Sequence, residues 1–164
     1  DNAAGQPFGA ARLKAAAVYL GDDPMFLANY SDGLSNIDLR AYLEFFAHRD
    51  KLAAFVSVRP HHSFHVVDLD DDGAVVALRG AGDSGLRING GFFVFKRGVL
   101  AYLGEGEDLV EEPFRRLIAV GELSAYRHDG FWHSMDTFKD KRTFDDMVAH
   151  GVTPWEVWRT GAAC

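Results

Sequence analysis

Residues Met25–Val58 read MFLANYSDGLSNIDLRAYLEFFAHRDKLAAFVSV. Met25 to Tyr30 is a short apolar run bounded by turn residues, which predicts a buried strand of the parallel kind. Ser31 to Ser35 then forms a loop at its carboxyl end. Asn36 or Asp38 can cap a helix from Ile37 to His48, whose Leu39, Tyr42, Leu43 and Phe46 share one face. Leu52 to Val58 reads as a second buried strand, ended by Arg59-Pro60. This strand–loop–helix–strand order predicts a βαβ unit in an α/β fold with a mixed, mostly parallel sheet. Ligands of such sheets bind beyond the carboxyl ends of the strands, where Asp32 falls.

Working outward, Ala10 to Leu20 has helix-forming composition and is closed by Gly21-Asp22-Asp23-Pro24. Phe64 to Asp68 and Ala74 to Leu78 flank Leu69-Asp70-Asp71-Asp72-Gly73 and predict a hairpin. Asp68 to Gly73 imitates the start of an EF-hand loop, but Arg79 stands where the twelfth-position Glu is needed, so the hairpin turn is the better reading. Arg87 to Phe95 predicts a third long strand, in which Gly90-Gly91 requires close approach by a neighbour or a ligand. Glu112 to Val120 and Phe138 to His150 read as helices, and Leu123 to Tyr126 as a short strand. Absent repeats or linkers, residues 1–164 read as one domain. The chain opens on Asp1 and enters a helix without an introductory strand, which predicts that an upstream half precedes it.

The chain has 164 residues, of which 48% are hydrophobic and 25% charged, the profile of a globular protein with a substantial core. Its formal charge of -7, with no dense Lys/Arg run, argues against a nucleic-acid partner. No apolar run approaches membrane-spanning length, so no membrane partner is expected. A single cysteine, Cys164, allows neither an intrachain disulfide nor a Cys-based zinc site within these residues, and fits a cytoplasmic setting.

The chemistry concentrates in RHDGFWHSMDTFKD, Arg127 to Asp140. Asp129 and Asp136 bracket an aromatic turn, and Ser134-Met135-Asp136-Thr137 can set a carboxylate at a strand end and a hydroxyl at a helix start. Asp32 and Asp136, each at a strand-end loop, form a candidate pair of hard oxygen ligands for magnesium carrying substrate phosphates. Taken singly, Asp32 is ordinary turn chemistry and Asp136 a helix cap. His61, His62 and His65 read as exposed or pocket-lining. His128 and His133 have two open readings, a backbone-bonded ring or a substrate contact. Phe131, Trp132, Trp155 and Trp158 read as core or interface packing.

From about Gly9 to Trp158 the chain resembles the sugar-1-phosphate nucleotidyltransferases, specifically the glucose-1-phosphate cytidylyltransferases. The resemblance is carried by Gly9-Ala10-Ala11-Arg12, by Tyr30 to Asp38, and by Ile88-Asn89-Gly90-Gly91-Phe92-Phe93. Tyr126 to Trp132, Met135-Asp136-Thr137 and Thr153 to Trp158 complete it. It implies a Rossmann-like, GT-A-like α/β fold. It implies an enzyme that joins CTP and glucose 1-phosphate into CDP-glucose with release of pyrophosphate, using Mg2+. It assigns the metal to Asp32 and Asp136, and the nucleotide and phosphates to Arg12. The sugar pocket falls to Asn89, with Tyr30 and Ser31 beside the metal loop as substrate contacts. Arg12, Asp32 and Asp136 are thus the candidate catalytic residues.

The departures from the family pattern are specific. The Gly-Gly-x-Gly-Thr-Arg loop that cradles the triphosphate does not occur in these residues. Arg79-Gly80-Ala81 replaces a sugar-pocket Glu-Lys-Pro, and His65 replaces a glycine of a Pro-Pro-Gly-Arg-Phe-Gly segment aligned with Pro60 to His65. A non-catalytic binding or assembly module with the same fold is the alternative. An unpaired apolar sheet edge and the aromatic C-terminal segment predict a homo-oligomer.

Overall fold

A computed structural model describes residues 9–61 and 64–160. His62, Ser63 and Cys164 therefore lie outside the described residues. The elements, in chain order, begin with α1 (Gly9–Ala16), β1 (Met25–Ala28), β2 (Gly33–Ser35), α2 (Leu39–Arg49) and β3 (Ala53–Val58). Next come β4 (His65–Leu69), β5 (Val75–Gly80), β6 (Ile88–Asn89) and β7 (Phe93–Lys96). The chain continues through α3 (Glu112–Ala119), β8 (Leu123–Arg127), β9 (Trp132–Ser134) and α4 (Phe138–Ala149). These residues group into two compact units. One holds the described residues up to Asn29, with Ala41–Phe55 and Phe92–Tyr126. The other holds Tyr30–Arg40, Val56–Gly91 and the described residues from Arg127 onward.

The first unit is built on β1, β7 and the start of β3, in that order. Its core is Phe26, Ala53, Phe93, Phe95, Val99, Leu103, Phe114 and Leu117, all buried. Alternate and successive residues of Phe93–Phe95 are buried alike, so both faces of β7 are covered. Phe93 packs edge-on against Phe114 of α3 at 6.0 Å between ring centroids. From α2, Tyr42 and Phe46 are buried, and Tyr42 packs on Tyr126 at 5.0 Å. Leu39, expected on that face, is largely exposed.

The sheet is mixed, as expected, but its parallel content is lower than the sequence suggests. β1 and β3 do run in the same direction around α2, yet β7 lies between them and pairs antiparallel with both. β3 also pairs antiparallel with β6. Only along β8 does β3 have a parallel neighbour among the described residues: Glu122 O accepts from Ala53 N, and Ser57 O accepts from His128 N. The physical reason is that a doubly buried apolar strand has the same composition whichever way its neighbour runs. The long strand expected over Arg87–Phe95 is instead two short ones. Gly91 at φ 73° and Phe92 at φ 49° turn the backbone left-handed between β6 and β7.

In the second unit, β4 and β5 form the expected hairpin. Asp70 Oδ1 accepts from Asp72 N at 3.1 Å and Ala74 N at 2.8 Å, so the acidic run is turn chemistry. The Gly90-Gly91 pair meets a protein neighbour. A Cβ on Gly90 would lie 2.8 Å from Val58 Cγ1 and 3.1 Å from Trp132 Nε1.

A short ladder sets the position of the candidate site. β2 and β9 pair antiparallel in the register Gly33↔Ser134, Leu34↔His133 and Ser35↔Trp132. The loop expected over residues 31–35 thus contains a strand, Gly33–Ser35, because three residues carry no period to detect.

Candidate metal and phosphate site

Asp32 lies in the turn that enters β2. Its carbonyl accepts from Met135 N at 2.9 Å, which continues the β2–β9 ladder one position past its last assigned pair. Asp32 is therefore across from Met135, and Asp136 follows directly. Facing residues in such a ladder lie roughly 4.5–5.5 Å apart at Cα, so the two aspartates sit within roughly 9 Å of each other. Asp136 is one residue past the partner of Asp32, so regular pleating turns the two side chains to opposite faces, and the ladder brings only their backbones near each other. Among the described residues no group of three or more His, Cys, Asp or Glu is arranged to hold a metal. Two carboxylates suffice for magnesium, which completes its shell with water and phosphate oxygens.

The local sequence explains the rest of the frame. Ser134 Oγ donates to Asp136 Oδ2 at 2.6 Å, which orients that carboxylate. Thr137 is the N-cap of α4. Its Oγ1 accepts from Asp140 N at 3.2 Å, while Asp140 Oδ2 accepts from Thr137 N at 2.8 Å. This reciprocal capping box fixes where the strand ends and the helix starts. The Thr137 hydroxyl, with the Thr137 amide and the nearby His133, holds the Asp140 carboxyl below the usual carboxylate range. The helix start expected from the sequence is thus observed, but its cap is Thr137 and not Asp136, which lies immediately before it.

Trp132 is buried and donates Nε1–H to Gly90 O at 2.8 Å, pinning β9 beside the β3–β6 pair. A cavity of about 520 Å³ opens against this segment, lined by His61, Trp132, His133, Asp136, Lys139 and Asp140 among others. His61 stacks on His133 at 5.7 Å, so the pocket-lining reading of His61 holds. His65 instead pairs with Gly80 in the hairpin and is exposed. His133 Nδ1 is 2.6 Å from Ser134 O, and His128 Nε2 is 3.2 Å from Phe131 O and 3.3 Å from Ser35 Oγ. Both rings are therefore bonded to backbone. Phe131, Phe144 and Trp155 pack together, with Trp155 5.6 Å from Phe131 and 5.4 Å from Phe144. Trp158, expected in packing, is 69% exposed.

The remaining candidates fall as follows. Tyr30 and Ser31 are in the same turn as Asp32 and exposed. Asn89, half-buried on β6, uses Oδ1 to accept from Gly91 N at 3.0 Å, leaving its Nδ2 amide to donate. Arg12 is an exposed residue of α1 in the first unit. Arg79 forms an ion pair with Asp68 across the β4–β5 hairpin. Asp129, the other acid of the aromatic motif, turns to arginines: Arg87 at 2.8 Å, Arg127 at 3.1 Å and Arg59 at 3.2 Å. The Arg87 bond chiefly, then Arg127, depresses its carboxyl to about 2. Sequence reasoning did not find this cluster, since its members are scattered along the chain.

Comparison with solved structures defines the class of fold. HddC from Yersinia pseudotuberculosis matches with a TM-score of 0.62 at 15% identity, over 86% of this chain and 62% of its own. The inositol-1-phosphate CTP transferase of T. maritima matches with a TM-score of 0.61 at 13% identity, over 99% of this chain and 67% of its own. A putative glucose-1-phosphate thymidylyltransferase from Bacillus anthracis matches at 0.59 and 15%, over 84% of this chain and 59% of its own. The fold is that of the sugar-phosphate nucleotidyltransferases.

No model of a protein family matches the chain. Individual relatives do: the glucose-1-phosphate cytidylyltransferase of Salmonella typhi is 33% identical over 148 residues, 90% of this chain and 58% of its own length. The probable glucose-1-phosphate cytidylyltransferase of Bacillus subtilis is 34% identical over 151 residues, 91% of this chain and 59% of its own length. The chain is homologous to the glucose-1-phosphate cytidylyltransferases and spans somewhat over half of their length. Among the described residues, no helix is long and apolar enough to cross a membrane.

Proposed function

We propose that this chain supplies the metal-holding and sugar-side part of a glucose-1-phosphate cytidylyltransferase, which converts CTP and glucose 1-phosphate to CDP-glucose and pyrophosphate. The observation that supports the reading is the β2–β9 ladder, which brings the backbones of Asp32 and Asp136 near each other. Their chemistry fits Mg2+, a hard cation that prefers carboxylate oxygens. When bound, the ion would neutralise charge on the nucleotide phosphates during in-line attack by the sugar phosphate.

The chain's own residues have separable roles. Asp32 and Asp136 hold the cation, and Ser134 keeps the Asp136 carboxylate aimed. Thr137 and Asp140 hold the helix start behind it. Asn89 offers its amide N–H groups to the sugar, with Tyr30 and Ser31 flanking the turn. Arg12 is assigned to the nucleotide phosphates from the resemblance. A cytoplasmic, homo-oligomeric protein with no nucleic-acid partner fits this activity.

One observation favours the alternative, a non-catalytic module. Arg79 occupies the place of the family's sugar-pocket acid and is paired with Asp68. The two readings part in one experiment, with Mg2+, CTP and glucose 1-phosphate added to the chain and to any longer form its gene encodes. Pyrophosphate release supports the enzyme; its absence from every form supports the module. In the active form, Asp136→Asn should lower turnover at least about a hundredfold, the scale of lost metal charge stabilisation. A variant within threefold of the parent would defeat the metal assignment. Paramagnetic broadening by Mn2+, mapped by NMR to residues 31–33 and 134–137, tests the same site without turnover.

A further inference from the structure

Arg59, Arg87 and Arg127 converge on Asp129 within the second unit. Arg87 is immobilised: Nε donates to Ser57 Oγ at 2.9 Å, and its terminal nitrogens to Ser57 O, His128 O and Asp129. Arg59 and Arg127 each reach Asp129 through Nε alone. Among the described residues, their terminal nitrogens have no hydrogen-bond partner. A cleft of about 230 Å³ opens beside them, lined by the three arginines with Gly82, Asp83 and Gly85. Three guanidinium groups face Asp129, and counting Asp83 still leaves an excess of positive charge.

One arginine would satisfy Asp129. Two more add mutual repulsion, and half-exposed ion pairs return little stability. The surplus charge is explained if a further anion completes the cluster. We propose that this cleft binds the phosphate group of a small phosphorylated ligand, with Asp129 orienting Arg59 and Arg127 as an internal counter-anion. Arginine presents paired donors matched to phosphate oxygens. The cleft is smaller than the roughly 300 Å³ at which pockets for drug-sized ligands begin, which suits a phosphate with a small substituent. Asp32 and Asp136 take no part in it, so the site stands whether or not the cytidylyltransferase reading does.

The test is calorimetric titration of the whole chain at low ionic strength in metal-free buffer, with inorganic phosphate and with glycerol 3-phosphate. Saturable binding is expected, with NMR shifts at the Gly82 and Gly85 amides. The double variant Arg59→Gln/Arg127→Gln should weaken it at least tenfold. Asp129→Asn, which removes the competing carboxylate, should tighten it severalfold. Asp136→Asn should leave it unchanged, which separates this site from the metal site. Tighter binding of glycerol 3-phosphate would mark an organic phosphate as the ligand, and equal binding the phosphate ion itself. No saturable binding of either probe, unchanged affinity in the double variant, or weaker binding in Asp129→Asn would overturn the proposal.

Discussion

Trp132→Phe tests how the site is held. Trp132 is 8% exposed, and its Nε1–H is bonded to Gly90 O at 2.8 Å. A phenyl ring keeps most of the packing but leaves that buried carbonyl without its donor. An unpaired buried acceptor costs about 1–3 kcal/mol. The smaller ring adds about 1 kcal/mol of lost contact, so a destabilisation of about 3 kcal/mol is expected. With a urea slope of about 2 kcal/mol/M, the midpoint should fall by roughly 1.5 M. Circular dichroism measures the midpoint, and hydrogen exchange at the Val56 and Gly90 amides, which bond across β3 and its partner, locates the loss. Gly90→Ala should also destabilise, because its Cβ would meet Val58 Cγ1 at 2.8 Å. Since the same Cβ would crowd Trp132 Nε1 at 3.1 Å, the two changes share a contact, and the double variant should lose less than the sum. A midpoint shift below 0.2 M for Trp132→Phe, on the scale of a surface change, or strict additivity, would refute the reasoning.

Two further outcomes follow from the same segment. Thr137→Ala removes the hydroxyl half of the capping box and should cost about 1 kcal/mol, read as a lower urea midpoint. It should also raise the Asp140 carboxyl toward its ordinary value, because the Thr137 hydroxyl is the chief cause of its depression. Asp129 should titrate near 2 by carboxyl NMR. Its folded value lies below its unfolded one, so its stabilising contribution is present above about pH 4 and is lost as pH falls toward 2. Arg87→Gln should move that midpoint up, and a midpoint unchanged in the variant would remove Arg87 as the cause.

Local chemistry was legible where residue type alone dictates it. Asp70 in the hairpin turn and the Thr137 hydroxyl at the start of α4 each depend on a few neighbouring atoms, so the sequence determined them. The atoms that crowd Gly90 come instead from Val58 and Trp132, which only the fold brings to it. The sequence also marked the runs that became β1, α2 and β3, although β1 is less buried than its apolar run predicts, with Phe26 buried but Met25 and Leu27 exposed. Strand direction was different. β7 enters between β1 and β3, and nothing in Phe93–Phe95 says which way its neighbours run, since both of its faces are buried. The site shows the same division. Asp32 and Asp136 are nameable from their turns, but β2 and β9, the three-residue strands beside them, have no periodicity. Their pairing is a long-range hydrogen-bonded contact that only the folded chain makes. Arg59, Arg87 and Arg127 are the clearest case. No linear window holds them together, so their shared hold on Asp129, and the charge left over, exist only in three dimensions.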